Sequence, residues 1–173
     1  MTIQLHLKEI LTRRQTTDVV TSLDVTELLS NRKDILQLHP LQITLQADPQ
    51  PGMVRVTGNC ELPLTLSCSR CLTAFETKLA LPFFELFQMV EDAEDSNDIE
   101  DDEIHQIHGE KVDLTPYVEQ TLVLGMPYVP ICSSECKGLC PSCGVNRNEQ
   151  ACTCSTERID PRLAGLKDFF NQQ

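Results

Sequence analysis

The chain has 173 residues, 40% of them apolar but only 5% aromatic and none of them Trp, so a core of ordinary size is available and must be mainly aliphatic. No stretch approaches the ~20 apolar residues of a transmembrane helix, and Met1–Ile10 lacks a charged region followed by an apolar run, so a cytoplasmic protein without membrane contact is expected. The formal net charge of -12 is concentrated in Glu91–Glu110, which holds ten acidic residues and no Lys or Arg; the nearly neutral remainder lacks the basic footprint of a strong nucleic-acid binder.

In chain order, Thr2–Lys8 alternates with Ile3, Leu5 and Leu7 on one parity, which predicts a half-buried strand. Asp18–Leu29 fits neither period, although Thr26–Leu29 suits a short helix. Leu41, Ile43 and Leu45 alternate again, and Asp48–Gly52 ends that strand with turn chemistry. The longest alternation follows: Val54, Val56, Cys60, Leu62, Leu64, Leu66 and Cys68 share a parity, with Gly58 or Pro63 marking a bulge or an edge. Phe75–Phe83 continues as a second long strand, so the two form a hairpin whose connection is Cys68–Thr73. Residues 91–110 read as a solvated acidic loop, or as an electrostatic lure for a basic partner. Asp113-Leu-Thr-Pro116 starts a helix over about 114–125, with Leu114, Val118, Thr121, Leu122 and Gly125 as its packed side. Asp160-Pro161 starts a terminal helix over about 161–171 with Leu163, Leu166, Phe169 and Phe170 on one stripe.

The densest chemistry is Cys132-x3-Cys136-x3-Cys140-x2-Cys143-x8-Cys152-x-Cys154. With nine cysteines and no secretory signal, metal ligation is expected over disulfides. A Cys-x-x-Cys turn sets two thiolates on one side of a tight loop, and thiolates in fours suit tetrahedral zinc. Cys140 and Cys143 are the core pair, and Cys152 and Cys154 can return across an eight-residue loop to complete one site. Cys132 and Cys136 either substitute in that site or join Cys68 and Cys71, at the hairpin turn, in a second one that clamps the tail to the sheet. Cys60, on the apolar face of its strand, reads as a small buried hydrophobe.

Nothing in the sequence marks a catalytic zinc. The histidines His6, His39, His105 and His108 lie away from the cysteine cluster, and His105 and His108 read as solvated loop residues. No GxSxG, phosphate-binding loop or dinucleotide fingerprint is present, so no catalytic residue and no small-molecule substrate is expected. Thiol–disulfide chemistry at Cys68/Cys71 is a rival reading, but the number of clustered cysteines favours metal.

These motifs together resemble the large ribosomal RNA subunit accumulation protein family, the YceD family. The resemblance runs in order through Cys68-Ser-Arg-Cys71, the acidic stretch, Asp113-Leu-Thr-Pro-Tyr-Val-Glu119, Pro130-Ile-Cys132, Cys136-Lys-Gly-Leu-Cys-Pro-Ser-Cys-Gly144, Asn146-x-Asn148, Cys152-Thr-Cys154 and Ile159-Asp-Pro-Arg-Leu-Ala164. It implies a cytoplasmic bacterial protein without enzymatic activity that supports accumulation of large-subunit ribosomal RNA and assembly of the large subunit. It also implies the branch of the family that keeps a C-terminal cysteine-rich extension. The partners expected are a large-subunit precursor, through ribosomal RNA, a basic ribosomal protein, or both. Arg70, Lys137, Arg147 and Arg158 offer a local basic face near the cysteine turns, or are scattered surface charges. A zinc-ribbon nucleic-acid-binding regulator is the rival from another class.

The expected architecture is α+β, mainly β: an antiparallel barrel or sandwich with one or two helices and a C-terminal zinc-knuckle segment. Residues 1–127 form the β domain and 128–173 the cysteine-rich metal-binding tail, which is too small to bury a core of its own.

Overall fold

Alternation governs the centre of the chain, and its strands assemble as the register demands. The computed structural model describes residues 2–90 and 104–154. Its main sheet has six strands: β2 (Thr17–Leu23), β3 (Ile35–Leu38), β4 (Leu41–Gln50), β5 (Met53–Ser67), β6 (Ala74–Val90) and β7 (Ile104–His108). The order is β2-β4-β5-β6-β7, with β3 beside the far end of β5. A two-stranded sheet pairs β1 (Gln4–His6) with β8 (Lys111–Asp113). The helices are α1 (Leu7–Arg13) and α2 (Thr115–Gly125). The α+β, mainly β class is as expected. The ladder is open, ending at β2 and β7, where a closed antiparallel barrel was one of the expected forms, and β7 runs parallel to β6.

One face of this sheet is the core. Leu41, Ile43, Leu45 and Ala47 of β4 and Val54, Val56, Cys60, Leu62, Leu64 and Leu66 of β5 are buried, as their shared parity requires. α1 packs across β4, β5 and β6, and α2 packs on β6. Phe87, Leu7, Leu114 and Leu122 complete one continuous hydrophobic cluster. Gly125 allows the close approach of α2: a Cβ there would stand 2.3 Å from Leu81 Cδ2.

Gly58 and Pro63 solve different problems within β5, and neither is a bulge, because the β5–β6 register is unbroken from Met53↔Gln88 to Ser67↔Ala74. A Cβ on Gly58 would stand 2.1 Å from the Thr44 carbonyl oxygen, so the residue permits the close approach of β4. Pro63 falls between the last β4 partner, Glu61, and the first β3 partner, Leu64. Its carbonyl accepts from His39 N at 3.3 Å on that side, so its missing N–H falls at the break between the β4 and β3 ladders.

Four local expectations are corrected. The strand predicted over 2–8 shortens to Gln4–His6, because Leu7 and Ile10, three apart, bury together on a helix. Arg14 closes that helix in the left-handed region at φ 51°, its N–H on Ile10 O. The ambiguous 18–29 segment is strand β2 followed by turns; Asp24 accepts from Thr26 N and Oγ1 at 3.0 and 2.6 Å, side-chain chemistry that competes with the suggested helix. The loop expected over 91–110 gives way to a strand in its last part, where Ile104–His108 pairs with Leu86–Val90. His105 is accordingly no solvated loop residue: its Nε2 lies 2.6 Å from Glu85 Oε2, and its ring lies against Phe87 and Tyr117. Residues 91–103 and the terminal helix expected over about 161–171, with Arg158, lie outside the described residues. No helix among the described residues is long and apolar enough to cross a membrane.

Candidate metal centres at the hairpin tip

The β5–β6 hairpin turns over Cys68–Thr73, the connection that the alternation predicts. Cys68 N donates to Thr73 O at 3.0 Å and Leu72 N to Cys68 O at 2.9 Å. Leu72 adopts φ 60°, a left-handed conformation that costs a side-chain-bearing residue about 1–2 kcal/mol. After α2 the chain returns to this turn, where Ser69 N donates to Pro130 O at 2.8 Å. That return brings Cys132 and Cys136 to Cys68 and Cys71, and the four Sγ atoms lie within 4.8 Å of one another. Cys68, Cys71 and Cys136 are buried, with Phe75 packed against them, and Cys132 is exposed.

The second group follows at once. Cys140-Pro-Ser-Cys143-Gly144 closes on itself through Gly144 N to Cys140 O and Cys140 N to Val145 O, both 2.8 Å. Gly144 supplies the φ of 76° that this closure needs. Cys152 returns to 3.4 Å from Cys140 Sγ and 3.5 Å from Cys143 Sγ. Cys154 completes a second set of four sulfurs within 4.8 Å. Cys143 and Cys154 are exposed, so this centre is the more open of the two.

Both groups fit a tetrahedral metal. Zn–S bonds of about 2.3 Å imply sulfur–sulfur edges of about 3.8 Å. The shortest contacts are 3.8 Å for Cys68–Cys136, 3.7 Å for Cys71–Cys132, and 3.4 and 3.5 Å around Cys152. A disulfide would need about 2.05 Å, and all nine cysteines are free. The alternatives open in the sequence thus take the form of two sets: Cys132 and Cys136 meet the hairpin pair and do not share the Cys140/Cys143 group.

The thiols respond to one another. Burial pushes the Cys68 thiol up, but the N–H groups of Cys132, Cys71 and Arg70 outweigh it and bring it down to about 6. Burial, together with the thiols of Cys136, Cys68 and Cys71, pushes Cys132 up to about 12. In the second group the N–H groups of Cys143 and Ser142 lower Cys140 to about 6, while the Cys152 and Cys143 thiols raise Cys154 to about 12. Each set can ionise in part; full ionisation of four adjacent sulfurs calls for a cation among them. Cys60 stands apart, pushed up by burial to about 11 and enclosed by the core.

Asn146-x-Asn148 stands in the sequence as a motif without an assigned role, and the structure gives it one. Asn148 lies in the loop between Cys143 and Cys152, yet its side chain serves the other centre. Nδ2 donates to Cys136 Sγ at 3.4 Å, and Oδ1 accepts from Lys137 N at 2.8 Å. Asn146 Oδ1 accepts from Asn148 N and Nδ2 at 3.1 and 2.8 Å. The Asn148 hydrogen bond is also the largest cause that lowers the Cys136 thiol. The available signal was the amide side chain itself, a two-headed donor and acceptor inside a short cysteine loop.

A redox Cys-x-x-Cys characteristically opens a helix. Cys68–Cys71 instead sits on a hairpin turn and is faced by two further cysteines. Arg70 is exposed and serves the turn, its Nη1 donating to Cys136 O at 3.1 Å.

Both centres and the hairpin tip that carries them fall within a stretch shared with known proteins. Residues 56–170 match the family model described as large ribosomal RNA subunit accumulation protein YceD. An uncharacterized protein of Mycobacterium tuberculosis is 31% identical over 144 residues, 77% of this chain and 63% of that protein. The chain therefore spans less than two thirds of its mycobacterial relatives. The uncharacterized protein YlbN of Bacillus subtilis is 27% identical over 160 residues, 92% of this chain and 91% of its own. A 63-residue stretch, 36% of this chain, is 30% identical to 20% of the Arabidopsis thaliana protein named large ribosomal RNA subunit accumulation protein YCED homolog 1, chloroplastic. No solved structure matches.

Proposed function

The chain belongs to the YceD family of large ribosomal RNA subunit accumulation proteins, and from that premise we propose that it is a non-catalytic cytoplasmic factor supporting large-subunit ribosomal RNA accumulation and large-subunit assembly. The observation that carries this reading is the family match, which takes in the hairpin tip and both cysteine groups. In it, Cys68, Cys71, Cys132 and Cys136 hold one structural zinc and Cys140, Cys143, Cys152 and Cys154 a second. Bound zinc would supply cross-linking: a tail of 128–154 with few buried apolar side chains gains from each centre on the order of 10 kcal/mol of folding free energy. Residues 1–127 act as the scaffold, and the tail is the part that metal organises.

The partner follows from charge. A body near neutrality does not grip RNA by counterion release alone. The acidic residues between 91 and 103 would repel RNA and attract a basic ribosomal protein, so the partner is such a protein, alone or with the RNA it binds. Replacing those acids with Asn and Gln tests this better than deletion. Leu86 pairs with Ile104 and Val90 with His108 in parallel, so the connection must span about 13 Å at 3.3 Å per residue, and its removal would cost β7 its place. Weaker binding at low salt, with the difference fading as salt rises, is expected of the amide variant; binding unchanged at low salt removes the lure.

The decisive experiment is gentle purification of the tagged protein from its host, with the bound RNA and protein identified before and after nuclease. Enrichment of precursor large-subunit RNA and large-subunit proteins is expected, and a basic protein that survives nuclease is the direct contact. Recovery of no ribosomal component overturns the proposal. A zinc-ribbon nucleic-acid-binding regulator is the second reading, favoured by the exposure of Cys143 and Cys154 on the outer knuckle. Its signature would be direct RNA or DNA affinity with a steep salt slope.

A further inference from the structure

Around the tip, the loop that closes one centre reaches over the other. Cys140 and Cys143 are set by their own turn, but Cys152 and Cys154 arrive only after residues 144–151 have crossed the linker of the first centre. Along that path Arg147 N donates to Gly138 O at 2.9 Å, and Asn146 Nδ2 reaches Thr73 Oγ1 at 3.3 Å. Asn148 then bridges Lys137 N and Cys136 Sγ. Beneath it, Leu139 N donates to Arg70 O at 3.0 Å, and Gly138, at φ 69°, lies so near that carbonyl that a Cβ would stand 3.0 Å from it. No residue from 144 to 151 is fully buried, and these hydrogen bonds hold the crossing segment. The far end of the loop is closed at Cys152 and Cys154.

We infer that the two cysteine centres are coupled in metal affinity and that Asn148 is the positioning residue that couples them. Metal at the Cys140/Cys143/Cys152/Cys154 centre closes the 144–151 loop and seats the Asn148 amide on Cys136 Sγ. A donor to a ligating sulfur fixes that ligand's orientation, and loss of such a partner typically costs 10–100-fold in metal affinity. Linkage makes the effect reciprocal: metal at the hairpin centre tightens the outer centre by the same factor. Filling is therefore cooperative, with each metal favouring the fully assembled tip. This rests on the reading of both groups as metal sites.

The test is titration of the metal-free full chain with cobalt(II), followed through the visible bands of tetrahedral cobalt–thiolate, and with zinc against a chromophoric chelator. Removing the outer centre by Cys143→Ser/Cys152→Ser should weaken the hairpin centre about 10-fold. Asn148→Asp keeps the acceptor for Lys137 N and replaces the donor to Cys136 with an anionic oxygen; it should weaken the hairpin centre by at least as much while the outer centre is loaded. In the Cys143→Ser/Cys152→Ser background the same substitution should add little, because the loop is no longer seated. That non-additivity is the coupling itself, and a residue that merely supported the fold would show the same loss in both backgrounds. Asn148→Ala serves as a second variant without added charge, and circular dichroism of the β body controls for folding. Hairpin-centre affinity unchanged when the outer centre is removed, or additive effects of the two changes, overturns the inference while leaving both sites standing. Failure of the intact chain to bind two metal ions overturns the metal reading along with it.

Discussion

The β body and the hairpin tip are held by opposite means. The body buries a continuous, mainly aliphatic cluster from β1 to α2, with Phe87, Leu7, Leu41, Leu62 and Leu114 among its enclosed side chains. Such a core is stabilised by area, at about 25 cal/mol per Å² of apolar surface. In the tip Cys68, Cys71 and Cys136 are buried together with Phe75 beside them, and Cys140 is buried in the second set. Its order comes from eight sulfurs in two sets and from hydrogen bonds among turn residues. One sequence therefore contains a region specified by periodicity and a region specified by ligand spacing, and different reagents should dismantle them.

Removal of metal should give the largest effect, and only in the tip. A strong chelator should strip the 128–154 segment of its protection against proteolysis and hydrogen exchange, a loss on the order of 10 kcal/mol for each centre. The sheet signal in circular dichroism should persist. Cys68→Ser/Cys71→Ser should lower bound zinc from two ions per chain to one; an unchanged zinc content would exclude the hairpin centre. The mirror experiment is Phe87→Ala, which opens a cavity where the fully buried ring meets Tyr117 edge-on at 5.0 Å between centroids. It should cost about 3–5 kcal/mol in chemical denaturation with zinc content unchanged. Loss of zinc in that variant at temperatures where it remains folded would break the separation between the two regions.

The same division governs what the sequence discloses. In the body, β4, β5 and β6 were legible because period-two burial leaves a direct trace in residue type, and the turn over Cys68–Thr73 fell where that alternation stops. α1 was not legible, since seven residues with Leu7 and Ile10 buried present fewer than two turns of pattern, and Leu7 continues the parity of the strand before it. β7 was hidden by composition. Ile104–His108 adjoins the acidic, solvating stretch, and its pairing with β6 is parallel and non-local, so nothing nearby in the chain announces it. At the tip, all eight ligand candidates could be named, because cysteine is distinctive and turn residues separate the pairs. Their division into two sets depended on the return of the chain after α2, which only the three-dimensional path supplies. Asn148 lay beyond reach for the same reason: its contact with Cys136 crosses from one loop to another.

Smaller perturbations refine the boundary between the regions. Gly58→Ala should destabilise the body by about 1–3 kcal/mol, the range for forcing atoms into a filled space, because its Cβ would meet the Thr44 carbonyl oxygen and the Leu45 Cα. Denaturant midpoints would measure it, and a wild-type midpoint would contradict the close approach of β4 and β5.

The smallest expected effect sits where the body hands the chain to the tip. Arg32 clasps Asp34 through two bonds, Nε to Oδ1 at 2.8 Å and Nη2 to Oδ2 at 2.6 Å, and Nη2 also donates to Pro127 O at 2.8 Å. Pro127 comes just after α2, so this clasp fixes the start of the return to Cys132. The Arg32 guanidinium holds the Asp34 carboxyl below its ordinary value, with partial burial opposing it. A carboxylate depressed on folding contributes stability that is fully present above its unfolded value, near 4, and is lost as pH falls through the lower folded value. Both side chains remain partly exposed, 30% for Arg32 and 26% for Asp34, so the pair contributes about 0.5–1 kcal/mol after solvent screening. Asp34→Asn should therefore lower stability at pH 7 by about that amount and flatten its dependence as pH falls below about 4, in paired denaturation curves. Because the Arg32 bond to the Pro127 carbonyl does not require the carboxylate, zinc content should stay at the wild-type level. A variant that lost both acid dependence and metal would place the clasp within the tip instead of at its base.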